Sequence, residues 1–451
     1  MSKKKILFFN MDVAGVFYYR TQLPAIELDK NHSSDFEVDV RQEINWNDDE
    51  YLKTLDIIHF HRTLIHDYSM MEILVQKLKG FGITLVMDID DFWTLQPTHP
   101  LYHMSIQEKL AEKVINNLKL ADYVTTTTKF LANEVRKYNK NVIIFENAIN
   151  PEEPQWIPKK KESEFVTFGY LAGSSHLHDI EMLRGATNYL QNTETTKDKF
   201  KVFLCGWDKR GSTTQYDLFP KELIDALQHF NLNNQVIHQK IAQVRGDLDK
   251  IKEIPQLVKD GFRGKLPVVT ERKIKPQESI WYEYEKLLTD NYKLIKNKEY
   301  LNFLMKFEDS PFPGSEKEQY QRVFTRPITS FGNGYNNFQI TLSPVFNSHT
   351  ALFNKAKSNL KIVESGFHKN AIIVSEIDCY DEIVHGKNGL VVRNARSNDW
   401  AKFMKKLIVE PALREDIASN LHEMVINKYN ITNITNKRAE FYNKIKATVA
   451  V

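Results

Sequence analysis

The densest set of reactive side chains lies in FNKAKSNLKIVESGFHKNAIIVSE, residues 353–376. Asn354, Lys357, Ser358 and Lys361 recur at three- and four-residue spacings, so on a helix they share a face, in part with Glu364. Ser358 is a candidate helix cap. Glu364 falls near the end of the helical pattern, just before Ser365-Gly366 and the apolar run Ala371–Val374. A carboxylate there opposes the helix dipole and needs a partner. A sugar or ribose diol suits it, because an ionised carboxylate accepts two donors.

Three further stretches carry chemistry. In FGYLAGSSHLHDIEML a strand ends at Ala172-Gly173 and a helix begins near Asp179. Gly173 permits close backbone approach, the amides after it, with Ser174, suit an anion, and His176 could add a hydrogen bond or charge to a phosphate. The plain alternative is an ordinary strand-to-helix loop capped by Ser and Asp. No GxGxxG or P-loop lysine motif is present. In MDIDDFW, Asp88, Asp90 and Asp91 follow a buried strand. They read as a metal-binding cluster, as the D-x-D that opens haloacid-dehalogenase-like phosphatases, or as a capped turn with an acidic edge. The phosphatase pattern places its strand near the N-terminus and needs a later paired-Asp motif; the chain has neither. In NMDVAGVFYYRTQLP, Gly15 makes a tight turn and Arg20 enters at a helix start, where a cation calls for an anionic ligand or an acidic partner. His59 and His61 share one face of a strand end, a two-ligand zinc arrangement without a third ligand in register.

Alternating elements must position these groups. Apolar runs such as KILFFN, LDIIHFH, ITLVMDID, DYVTTTT and NVIIFEN alternate with helical patterns such as TQLPAIELDKN and KLAEKVINNLKLA. That order predicts parallel pairing and a doubly wound sheet. The pattern lapses at NPEEPQWIPKKKESE, a linker. It restarts with FVTFGYLAG, a helix over DIEMLRGATNYLQ, and FKVFLCGW, then fades from about 209 to 318, read as a charged, mostly helical and partly mobile insertion. It returns at NNFQITLSPV and runs to NGLVVR, and two helical segments close the chain.

Composition narrows the classes. The 451 residues carry 61 basic and 58 acidic side chains, a balance that does not point to nucleic acid or an anionic membrane as main partner. Two distant cysteines, Cys205 and Cys379, make neither a disulfide framework nor a zinc spacing, which predicts a reducing cytoplasm. MSKKKILFFN reads as a first strand and not a signal peptide, and no run reaches the ~18 apolar residues of a membrane span.

The chain resembles GT-B-fold glycosyltransferases of glycosyltransferase family 4, the "group 1" type. The resemblance is strongest over KSNLKIVESGFHKNAIIVSEIDCYDEIVHGKNGLVV, with weaker matches in ADYVTTTTKFLANEV…NVIIFENAI, FGYLAGSSHLHDIEML and the G-x-x-x-Y-R-x-x-x-P of Gly15, Tyr19, Arg20 and Pro24. It covers most of the chain outside 209–318. It implies an α/β fold of two Rossmann-like, doubly wound domains facing a cleft: 1–153 on the acceptor side, 154–430 on the donor side, and a final helix, 431–451, crossing back. Glu364 would then hydrogen-bond the ribose, and the Gly173 loop with Ser174 would hold the diphosphate. Pro344 would border the base, and Gly15, Ser358, Asn359 and Lys361 would complete the donor site. Asp90 takes the strand-end position that often carries His, and with His176 and Lys357 makes the catalytic set; Arg20 and Asp91 lie on the acceptor side.

The chain departs from the family pattern at several points. The first Glu of E-x7-E is Ala356. Ser174 and His176 or His178 replace the usual Arg and Lys of the phosphate loop, and Gln339 replaces an acidic residue. Lys357, Lys361, Lys209 or Arg210 would supply the missing charge. The resemblance implies transfer of a hexose or pentose from a UDP- or GDP-sugar co-substrate, with retention, and with no metal or other cofactor. The acceptor is left open between glycan, lipid-linked sugar, protein and modified nucleic acid, as is the oligomeric state. The location is cytoplasmic, with peripheral membrane attachment left open. The alternatives are the Asp88/Asp90 phosphatase and a non-catalytic sugar-nucleotide-binding protein.

Overall fold

Among the described residues twelve strands form two parallel sheets. The computed structural model describes residues 3–12, 15–97, 99, 101–159, 163–208, 213–215, 223, 226, 247–262, 272–273, 279–306, 312–348, 351–393 and 397–445. The first sheet contains β1 (Lys4–Phe9), β2 (Phe36–Arg41), β3 (Ile57–His61), β4 (Thr84–Ile89), β5 (Tyr123–Thr126) and β6 (Val142–Ile144), in the order β2-β1-β3-β4-β5-β6. The second contains β7 (Val166–Leu171), β8 (Phe200–Trp207), β11 (Tyr320–Phe324), β12 (Ile340–Ser343), β13 (Ala371–Ser375) and β14 (Leu390–Val392), in the order β11-β8-β7-β12-β13-β14. Every pairing in both sheets is parallel. Helices cover both faces of such a sheet, so its central strands read as continuous apolar runs; β3, β4, β12 and β13 are buried along their whole length.

Both sheets belong to one compact unit, Met1–Trp207 with Tyr284–Tyr300 and Pro311–Val451. A second unit, Asp208–Glu283 with Leu301–Ser310, contains the antiparallel pair β9 (Thr213–Gln215) and β10 (Arg272–Lys273) and the helix Gln256–Phe262. Much of the 209–318 insertion, including Lys209 and Arg210, lies outside the described residues. Among the described residues no helix is long and apolar enough to cross a membrane.

In each sheet the strand order reverses once, between β1 and β3 and between β7 and β12. Ligand crevices in open α/β sheets form beyond the carboxyl ends of the strands at such a switch point. The last helix, Ile431–Lys444, returns to the first sheet: Ala439 and Tyr442 pack with Ile6, Phe8 and Val86, and Lys4 Nζ donates to the Tyr442 carbonyl at 2.8 Å.

Four local expectations change. The helix read over DIEMLRGATNYLQ is broken into Leu177–Ile180, a 3-10 turn Glu181–Leu183 and Ala186–Gln191, with Gly185 at φ +78° between the last two. The first closing segment is two helices, Ser397–Val409 and Pro411–Lys428, because proline takes the first helical position after Glu410. β11 was hidden by its polar residues: Arg322 is buried there because its guanidinium pairs with Glu285 at 2.7 Å and lies 3.7 Å from the Trp207 ring centre. The helical face expected from Asn354 to Glu364 is interrupted, with one turn at Leu352–Lys355 and the helix proper at Leu360–Phe367.

Candidate functional site

Glu364 sits in the Leu360–Phe367 helix, 1% exposed. Gly366 lets that helix press on Pro411–Lys428; a Cβ there would lie 2.6 Å from a Val425 methyl. Glu364 already has partners. Tyr19 donates to Oε1 at 3.0 Å, Tyr335 donates to Oε2 at 2.5 Å, and Lys361 Nζ stands 3.4 Å from Oε2. Burial, then the Glu364 charge, pushes both phenols well above their ordinary pKa, so both hydroxyls stay protonated and donate. Tyr19 comes from the first sheet's side of the molecule, on a π-helical turn Tyr18–Gln22 after β1. Such turns recur at functional sites. Two hydroxyls thus hold the two oxygens of Glu364, as a ribose diol would.

Next to it, at the β7/β12 switch point, His176 Nδ1 lies 2.8 Å from Asp179 Oδ2 and 3.1 Å from Lys357 Nζ. Asp179 Oδ1 also accepts from the backbone of Phe346 and from Asn354. Burial alone would raise Asp179, but His176 and Lys357 hold it below the ordinary carboxylate range. Burial, then Lys357, lowers His176, so it offers a hydrogen bond and not a charge. Gly173 and Ser174 are exposed at the mouth, and a Cβ on Gly173 would meet nothing within 4 Å. Its φ of −85° is open to any residue. Neither packing nor backbone conformation requires glycine there, so the space in front of it is free for a ligand. Gly15 is likewise unobstructed. Pro344 is buried just past β12, and Asn359, at the helix N-cap, donates its side chain to the Tyr429 hydroxyl. Ser358 therefore does not cap the helix, a correction to the expectation.

The first sheet's carboxylates divide by depth. Asp88 is fully engaged: Arg20 Nη2 and the Thr125 hydroxyl meet Oδ1 at 2.6 Å each, and Arg20 Nε meets Oδ2 at 3.0 Å. Burial would raise Asp88, yet Arg20 holds it well below the ordinary range. This is no phosphatase nucleophile, because both oxygens are spoken for and the side chain is sealed from substrate. Arg20, 1% exposed, also donates to the Phe145 carbonyl and to Asn147. Its call for an anion is answered by Asp88, so it does not face an acceptor. His59 and His61 join the same network: His61 Nδ1 is 3.3 Å from Asp88, and His59 contacts Thr125 and the Tyr442 hydroxyl at 3.1 and 2.9 Å.

Asp90 and Asp91 lie nearer solvent, with Arg62 3.2 Å from Asp90 and 3.5 Å from Asp91. Burial among these neighbours, then Asp90 itself, pushes Asp91 up to about 6, although 38% of its side chain remains accessible. The sequence reading took His61 only as half of a two-ligand zinc arrangement. Its Nε2 is buried without a hydrogen-bond partner and lies 3.5 Å from both Asp12 and Asp90. The H-x-H at the end of β3 was the signal, and Asp88 makes it legible by fixing the other ring nitrogen. Tyr335 was missed, and Tyr19 stood only as a motif residue; nothing local in the sequence joins either to Glu364. Ala356, where the family pattern has Glu, is fully buried with Phe60, Leu64 and Trp93 of the first sheet's core.

No protein-family model matches the chain, and no curated protein matches it. Solved structures do match over nearly the whole length. Sucrose-phosphate synthase from Thermosynechococcus elongatus aligns with TM-score 0.56 at 11% identity, over 98% of this chain and 99% of that one. Anabaena Alr3699/HepE, solved with UDP and glucose, aligns with TM-score 0.55 at 10% identity, over 98% and 100%. A glycosyltransferase from Rickettsia africae aligns with TM-score 0.50 at 11% identity, over 98% and 99%. The fold is GT-B. At these identities the likeness speaks for architecture, and it agrees with the paired six-stranded sheets and their two switch points.

Proposed function

We propose that the protein is a glycosyltransferase that moves a sugar from a nucleotide-sugar donor to an acceptor hydroxyl. The observation that carries the reading is the convergence at the β7/β12 switch point. Past β7 stand the open face of Gly173 and the neutral His176, with Lys357 3.1 Å from its ring; past β12 stands Lys361, 3.4 Å from a carboxylate already holding two hydroxyls, and both lysines act electrostatically on His176. A phosphate needs cations and free amides, and a ribose needs a carboxylate that accepts two donors. HepE, which shares the fold, was solved with UDP and glucose, and that supports the same class of donor here.

In this reading residues 154–430 hold the donor and 1–153 the acceptor. The ribose takes the place of the Tyr19 hydroxyl on Glu364, Pro344 borders the base, and Lys357, Lys361 and the Gly173–Ser174 backbone hold the diphosphate. The bond between the anomeric carbon and the diphosphate oxygen breaks, and its electron pair leaves with the diphosphate. Lysine charge and backbone amides stabilise that departure. The acceptor oxygen bonds to the anomeric carbon from the same face, and its proton passes to the departing oxygen, so configuration is retained. Asp90 and His61 Nε2 line the first half's side of the reacting sugar. No step calls for a metal.

The test is a thermal-shift screen of UDP-, GDP- and ADP-sugars in EDTA. A ligand bound only by the folded state at a hundred times its Kd adds about 2.7 kcal/mol, so one nucleotide series should raise the melting temperature by several degrees with EDTA present. No shift from any of them, or a shift that EDTA abolishes, overturns the reading as stated.

A further inference from the structure

A cavity lies at the β1/β3 switch point. Its volume is about 530 Å3, within the roughly 300–1,000 Å3 of small-molecule sites. It is walled by the carboxyl ends of β1 and β3 and the loop after β2: Phe9, Trp46 and Leu64 are among its apolar lining residues, and Gln42, Glu43 and His66 are its polar ones. We propose that this cavity binds the acceptor, and that the acceptor presents an uncharged pyranose there. The inference rests on the transferase reading for the word acceptor; the binding site stands on its own geometry.

The chemistry selects the ligand. Trp46 is partly exposed and braced in place. Its ring meets Phe9 edge-on at 5.3 Å, and its carbonyl accepts from Lys77 at 2.8 Å, while Lys77 pairs with Asp49 at 2.6 Å. It is a preformed apolar wall with little ordering left to lose on binding. The same lining carries a carboxylate, an amide and an imidazole, all exposed. Gln42 commits its Nε2 to the Asp12 carbonyl at 3.0 Å, which leaves its side-chain oxygen as an acceptor. No lysine or arginine lines the cavity among the described residues, and Glu43 repels anions, so a phosphate or carboxylate does not fit. A purely apolar ligand would leave the polar side unpaired at a cost. A pyranose has both faces: C–H groups for the indole and hydroxyl donors for Glu43, Gln42 and His66.

Position adds the link to the reaction. Met11 of the cavity wall precedes Asp12, and Leu64 follows His61 by three residues. Asp12 lies 3.5 Å from the unpartnered Nε2 of His61, with Asp90 equally close on that nitrogen. The cavity is thus built on the same two strand-end loops that carry Asp12 and His61, whose Nε2 is buried without a hydrogen-bond partner.

The experiment titrates the full chain with methyl glucoside, galactoside, mannoside and N-acetylglucosaminide, followed by saturation-transfer NMR, with cyclohexanol as an apolar probe of similar ring size. At least one glycoside should bind the wild type. Trp46→Leu should weaken it about tenfold or more, Trp46→Phe less, and Glu43→Gln severalfold. Thermal melts confirm that each variant is folded. The proposal is overturned if no glycoside binds, if cyclohexanol binds more tightly than all of them, or if a folded Trp46→Leu binds as well as the wild type. Nucleotide binding is measured separately. Glycoside binding without nucleotide binding keeps the cavity and removes the transferase reading; the reverse keeps that reading and removes the cavity.

Discussion

Glu364 shows how a charged residue can be both a structural tie and a binding group. Its position in the Leu360–Phe367 helix, three residues from the end, makes its charge unfavourable without partners. The structure supplies two phenols and a lysine. Tyr335 belongs to the same half, whereas Tyr19 arrives from the other, so the Tyr19 hydroxyl is the one a ribose would displace. Tyr19→Phe keeps the buried ring and removes only that competitor. Calorimetry should then show nucleotide affinity rising severalfold, while stability falls by about 1 kcal/mol for the lost hydrogen bond. A marked fall in affinity would mean that the Tyr19 hydroxyl helps to hold the nucleotide. At this scale the sequence was partly legible. Glu364 stands out by its place against the helix dipole and Arg20 by its charge at a helix start, but the residues that answer those charges are not local. Asp88 was 68 positions from Arg20 and Tyr19 345 from Glu364, distances that only the fold closes.

Strands and helices were more legible, because parallel strands buried on both faces leave apolar runs that no other element imitates at that length. What escaped was locally unfavourable and settled by tertiary contact: β11, whose Arg322 is buried on Glu285 and Trp207, and the broken segment after Gly173. The junction of β3 with the last helix makes a separate prediction. Burial lowers His59 to about 3 from its ordinary 6.5, and its ring meets Tyr442. The unfolded chain therefore binds more protons than the native one between those values. The stability from keeping His59 neutral is present above pH 6.5 and is lost as pH falls toward 3, by up to about 1.4 kcal/mol per pH unit. Burial lowers His176 and His422 in the same direction, so the comparison with His59→Gln isolates the effect. Urea midpoints should drop between pH 7 and pH 5 in the wild type, and less in the variant. Identical slopes would mean that His59 titrates normally.

At the scale of the whole molecule, two doubly wound sheets place two switch points, where crevices form, in one compact unit; an Asp–His pair follows β7 at the second, Asp179 with His176, and another joins β3 to β4 in the first sheet, Asp88 with His61. The alternation of elements foretold the paired sheets, since each restart after the Pro- and charge-rich linker repeats the same local pattern. The acidic strand end foretold less: Asp88, a candidate nucleophile by sequence, is buried and held by Arg20, Thr125 and His61. The central claim is that the second crevice binds a nucleoside diphosphate through Glu364 and its neighbours. Titration calorimetry with UDP and with GDP, on the wild type and on Glu364→Gln, tests it most directly. Glutamine keeps one acceptor and the shape of the buried side chain, and a charged hydrogen bond is worth roughly 1.5–3 kcal/mol. One nucleotide should bind the wild type at one site per chain and bind the folded variant about tenfold more weakly. No binding of either nucleotide, or the same affinity in a variant with an unchanged melt, would contradict the account.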